Sequence, residues 1–171
     1  VIVYVGFIII NIELLEILID GITGSHRFFS KYFNPNFYNF LIASFEIFAL
    51  LVLISVIIFW TRRNIMKIKR FLSSEMNGWP KFDADNILYF EVVLMLLFLS
   101  MNATDLILQD RNFDGYYKAG AFPVSSFLVP LFDSFSTSTV YVLERVFWWS
   151  HILGILFFLN YLYYSKHLHI L

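Results

Sequence analysis

Apolar residues dominate four stretches of this chain, about Val1 to Ile19, Phe37 to Trp60, Asn86 to Leu108 and Val140 to Tyr164, and polar residues gather between them. Each stretch is near the twenty residues that an α-helix, rising about 1.5 Å per residue, needs to cross a hydrocarbon core roughly 30 Å thick. The pattern predicts an all-α transmembrane helix bundle with four spans. Acids interrupt it. Glu13, Glu16 and Asp20 recur at i, i+3 and i+7 on one stripe of the first helix, and Glu46, Glu91 and Asp105 lie in the second and third spans. Carboxyl groups inside a membrane are protonated, paired or next to water. These residues therefore either supply a proton route or tie the bundle together through Arg145, serine hydroxyls or amides such as Asn11 and Asn102.

The connections carry their own signals. Arg62, Arg63, Lys67, Lys69, Arg70 and Lys81 all lie between the second and third spans, which places that loop in the cytoplasm, because short loops rich in Lys and Arg are retained there. The connections around His26 to Asn36 and Gln109 to Ser136 hold only Arg27, Lys31, Arg111 and Lys118, and fall outside. Trp60, Trp79, Trp148 and Trp149 are expected near the interfaces. FPVSSFLVPLF, from Phe122 to Phe132, is apolar but too short to span and is bounded by Pro123 and Pro130, which reads as a re-entrant or interfacial segment. It either roofs a lipid-facing pocket or seals helix ends. The chain opens at Val1 with no initiator Met and no basic flank, unlike a secretory signal peptide. The expectation is a single transmembrane domain over residues 1–171, cut from a longer chain with a fifth span before Val1.

Composition sharpens the class. The chain is 59% hydrophobic, 20% aromatic and only 15% charged, with 21 Phe among 171 residues, which excludes an ordinary soluble domain. Its net charge of −1, with the basic residues concentrated in one loop, argues against nucleic acid as a partner. That loop suits anionic lipid headgroups or a cytoplasmic protein. With no cysteine, the chain itself holds neither a disulfide nor a cysteine-ligated iron–sulfur cluster.

Four histidines are the candidates for chemistry. His151 and His169 stand eighteen residues apart, a spacing that returns to the same helix face after five turns, roughly 27 Å further along. Imidazole is a common axial ligand of haem iron, so two histidines on one face near opposite membrane surfaces suit a transmembrane electron path. His167 is sixteen residues from His151 and faces the other way, which favours His169 if the helix continues past Lys166. The plain alternative for either is an interfacial or hydrogen-bonded histidine. Gly154 leaves room beside His151 for a flat macrocycle or for a neighbouring helix. His26, in GSHRFF, lies on the same side as His151 and could ligate an outer haem, hydrogen-bond a quinone carbonyl, or cap a loop.

His151, followed by Ser165, Lys166 and His169, resembles the last helix of the gamma subunit of respiratory nitrate reductase, where two histidines at this separation each ligate a different b-type haem. VYVGFIIINIELLEI, FWTRRN, FPVSSFLVPLF and FFLNYLYYSKHLHIL resemble the membrane domain of iron–sulfur oxidoreductases related to heterodisulfide reductase. The resemblance implies a haem b-binding domain of the cell's inner membrane, with His151 on the outer haem and His169 on the inner one. It would pass electrons between the quinone pool and an iron–sulfur module in the parent chain or a partner. In the nitrate reductase subunit the other two ligands stand ten residues apart on an earlier helix, whereas Val1 to Ile19 contains no histidine. Either His26 substitutes, or one haem is bound instead of two, or ligands lie upstream. The rivals from other classes are a proton-conducting or transporter-type domain without haem and a cofactor-free anchor.

Overall fold

The computed structural model describes residues 2–66 and 79–164, with side chains placed over 11–66 and 82–161. The regular structure of the described residues is all helical, without a strand: α1 (Ile2–Thr23), a 3₁₀ turn (Phe28–Lys31), α2 (Pro35–Asn64), α3 (Trp79–Asp110), a second 3₁₀ turn (Ser125–Phe127), the single-turn α4 (Val129–Phe132) and α5 (Thr137–Tyr164). Three stretches among the described residues, Pro35–Asn64, Phe82–Asp110 and Thr137–Tyr161, are long and apolar enough to cross a membrane. They correspond to the second, third and fourth stretches expected from the hydropathy pattern. The apolar run Phe122 to Phe132 forms the second 3₁₀ turn and α4, two short turns instead of a continuous helix.

The distribution of side chains is that of a protein whose solvent is apolar. Glu16, Glu46, Asn102, Asp105, Glu144 and His151 are buried, whereas Leu51, Ile54, Ile58 and Phe59 of α2 and Val146, Leu153, Phe157 and Leu159 of α5 are about half exposed. In water such apolar faces would favour association. In lipid they cost nothing, while the polar groups must find partners inside the protein.

The chain divides into two compact units, Val1–Leu50 with Leu99–Arg145, and Leu51–Phe98 with Val146–Leu171. In the first, Ile107, Leu108 and Val140 form a closed apolar centre, with Phe113, Tyr116, Val129 and Phe132 packed on it. Helix α3 stops here by a left-handed cap. Asn112 adopts φ 50°, the Asn112 N–H reaches the Gln109 carbonyl at 3.2 Å, and the Phe113 N–H reaches the Leu108 carbonyl at 3.0 Å. That pair of bonds, with Phe113 folded back onto Leu108, is a Schellman motif, and asparagine is the residue besides glycine that tolerates its left-handed position.

In the second unit the Phe90 ring packs on Phe157, Phe158 and Tyr161 at centroid distances of 5.3, 6.1 and 5.9 Å. Polar pairs accompany it: Trp60 Nε1–H donates to the Tyr89 hydroxyl at 3.1 Å, Asn64 Nδ2–H to Asp85 at 3.1 Å, and the Tyr161 hydroxyl to Asp83. A Cβ on Gly154 would lie 2.7 Å from Leu94 Cδ2. The space left by this glycine is therefore filled by a side chain of a neighbouring helix, and the glycine is explained by helix packing.

Candidate functional site

His151 sits in the middle of α5 and is buried. Its Nδ1 is 3.0 Å from the Leu94 carbonyl oxygen, and the Phe98 ring lies 5.7 Å from its own. A carbonyl can only accept, so Nδ1 carries the proton. In the neutral imidazole the lone pair is then on Nε2, and the ring is fixed about its Cβ–Cγ bond by the bond to α3. A hydrogen bond from Nδ1–H to a carbonyl is what prepares a histidine to ligate a metal through Nε2. His169, expected to hold the second haem, lies outside the described residues, as do His167, Ser165, Lys166, Lys67, Lys69 and Arg70.

His26 belongs to the other unit and has a different environment. Its Nε2–H donates to Asp105 Oδ1 at 2.8 Å, its ring lies against Tyr116 at 4.5 Å and Tyr117 at 5.1 Å, and its Nδ1 is enclosed with no hydrogen-bond partner among the described residues. The nitrogen that usually meets haem iron is thus occupied by a carboxylate. Of the three uses expected for His26, the geometry matches a residue that closes a loop onto a helix.

The loop is organised by Arg27, which the sequence offers only as one of the few basic residues of the outer connections. Arg27 has φ 53° and ψ 60°, a left-handed conformation that costs a side-chain-bearing residue roughly 1–2 kcal/mol. The contacts that hold it there are extensive. Asp20 Oδ2 accepts the Arg27 N–H at 2.9 Å, and Asp20 Oδ1 accepts the Phe28 N–H at 3.0 Å and the Ser25 hydroxyl at 2.8 Å. Glu16 Oε1 accepts the Phe29 N–H at 2.9 Å and the Tyr38 hydroxyl at 2.9 Å. Two acids one turn apart on α1 thereby cap the free N–H groups that open the 3₁₀ turn.

The guanidinium is buried. Its Nε and Nη2 donate to Asp105 Oδ2 at 3.1 and 2.7 Å, Nη2 also donates to Asn102 Oδ1 at 3.0 Å, and the Phe122 ring centroid lies 5.1 Å from Cζ. Burial works against the Arg27 charge, but the Asp105 carboxylate and the other nearby groups outweigh it and hold its pKa above arginine's ordinary value. Asn102 Nδ2–H continues the chain to Glu46 Oε1 at 3.1 Å, and Glu46 Oε2 accepts the Val124 and Ser125 N–H groups at 2.8 and 3.1 Å. A buried carboxylate of α2 thus pins the start of the Phe122–Phe132 segment.

Of the acids expected to tie the bundle together, Asp20, Glu16, Glu46 and Asp105 use the partners just described. Arg145 pairs with its neighbour Glu144, which also accepts the Tyr116 hydroxyl at 2.9 Å. Burial and the Glu144 carboxylate both push the Tyr116 phenol up. The tie through Asn102 is present, and it runs to Glu46 and Arg27. The Arg27 and Tyr38 contacts cross between separate elements, and the sequence marks Arg27 only as a basic residue of an outer connection, beside His26.

A helical fold with three membrane-length apolar helices, buried acids and a buried, oriented histidine defines the class, a multi-pass α-helical membrane protein. No protein-family model, curated protein or solved structure matches the chain.

Proposed function

We propose that the chain is a haem b-binding membrane domain that carries electrons between the quinone pool and a cytoplasmic iron–sulfur module. In this reading α1 is a further span, beside the three apolar helices, and the membrane is the inner one. The observation that carries it is the His151 geometry. A buried imidazole on a membrane-length helix donates Nδ1–H to the Leu94 carbonyl, which leaves the lone pair of the neutral ring on Nε2. The terminal spacing of His151 and His169, which resembles the nitrate reductase gamma subunit, supplies the second support.

His151 would hold one axial position through Nε2, and His169 would serve a second haem. The haem itself supplies one-electron chemistry, with a potential set by its ligands and by dry surroundings. The residues of this chain keep the tautomer and the orientation of the ligand. Leu94 fixes Nδ1, and Phe98 lies beside the ring. With no cysteine of its own, the chain relies on a partner or a joined domain for the cluster.

The test is a dithionite-reduced minus oxidised spectrum of the purified protein in detergent, expressed with haem supplied, together with haem per polypeptide. A b-type α-band with one or two haems per chain is expected. A colourless preparation would overturn the reading and leave the proton-conducting or cofactor-free anchor domain in its place.

A further inference from the structure

The buried acids of the first unit are unequal, and the inequality points to a site that the haem reading does not use. Asp20, Glu16, Glu46 and Asp105 each accept at least two donors, from backbone N–H groups, Tyr38, Asn102, His26 or Arg27. Such donors stabilise the ionised form of a carboxyl group. Glu13 differs. It is 8% exposed, and its buried Oε1 meets no hydrogen-bond donor among the described residues.

Charge balance sharpens the contrast. The groups whose charges act on Glu13 are Arg27, Glu16 and Glu46. Arg27 is already committed to Asp105 through two N–H donors, and Glu16 and Glu46 oppose a further negative charge. Even with His26 protonated, carboxyl groups outnumber bases in this cluster. A buried carboxyl oxygen with no donor among the described residues, beside a cation already committed elsewhere, is the arrangement a protein avoids by keeping the acid neutral.

We propose that Glu13 is a proton-binding site, the member of the buried acid cluster whose carboxyl group, lacking the donors that its neighbours accept, stands as a neutral carboxylic acid. Its ligand is a proton. The neutral acid is also why one helix can present Glu13 and Glu16 to the same interior without mutual repulsion. The proposal does not depend on haem, and the experiment below does not read haem.

Infrared spectroscopy of the purified full chain near neutral pH separates the carbonyl stretch of a protonated acid from the carboxylate bands. Wild type is expected to show that carbonyl band, and Glu13→Gln is expected to fold with an unchanged thermal midpoint and to lose one acid's intensity from it. Glutamine has the shape and neutrality of the protonated acid, so a Glu13→Gln chain that fails to fold shows that the charge was needed and overturns the proposal. A wild-type chain with no acid carbonyl band, or a band that survives Glu13→Gln undiminished, overturns it as well.

Discussion

Leu94 holds His151 and, through a second contact, the same helix: its carbonyl accepts the His151 Nδ1–H at 3.0 Å, and its side chain fills the notch of Gly154, three residues along from His151. One residue of α3 thus sets both the tautomer of the imidazole and the approach of the two helices. If His151 ligates haem, His151→Ala should remove one haem per polypeptide from the reduced-minus-oxidised spectrum, while the chain still elutes as a folded species in detergent. A spectrum identical to wild type would count against His151 as a ligand.

Gly154→Ala tests the second half of that relationship. The new Cβ would stand 2.7 Å from Leu94 Cδ2, so the leucine must change rotamer or the helices must part. Overpacking of this kind costs about 1–3 kcal/mol. Gly154→Ala alone should lower the unfolding midpoint in detergent, and adding Leu94→Ala should make the two losses less than additive. Strict additivity would mean that the two residues do not compete for one space.

Asn112 offers a backbone test away from any chemistry. It ends α3 at φ 50°, where glycine is unstrained and a β-branched residue is strongly disfavoured. Asn112→Gly should leave the thermal midpoint unchanged or raise it slightly, and Asn112→Val should destabilise by roughly 1–2 kcal/mol. The measurement is the pair of melting curves. A valine variant as stable as wild type would show that the cap contributes little.

Hydropathy made the three long helices legible, because runs such as Phe37 to Trp60 have no other stable form in a membrane. The placement of acids on one stripe of α1 was equally plain. Their partners were not, because hydrogen bonds such as Glu16 to Phe29 or Glu46 to Val124 depend on how loops return, and no periodicity records that. Arg27 looked like an ordinary loop residue for the same reason, since its partner Asp105 lies 78 positions later. Gly154 marks open space beside His151 in the sequence, for a macrocycle or a helix, and only the placement of Leu94 decides what fills it.

Arg27 and Asp105 provide the largest expected effect on stability. Both are buried, joined by two N–H donors, and the arginine backbone is held in a left-handed conformation to make the contact. Removing one partner of a buried ion pair leaves the other charge without compensation, at a cost of about 3–5 kcal/mol. Arg27→Ala should therefore unfold the loop between α1 and α2 and depress the melting temperature more than any substitution above. Lysine has no planar fork to engage Asp105 through two donors and Asn102 besides, so Arg27→Lys should recover only part of the loss. The decisive measurement is a double-mutant cycle with Asp105→Asn, read by unfolding in detergent. Once Arg27 is gone, neutralising Asp105 should restore stability, because the uncompensated carboxylate is then the main defect. If Arg27→Ala with Asp105→Asn is instead as unstable as the sum of the two single changes, the pair is not coupled, and the loop is held by Asp20 and Glu16 alone.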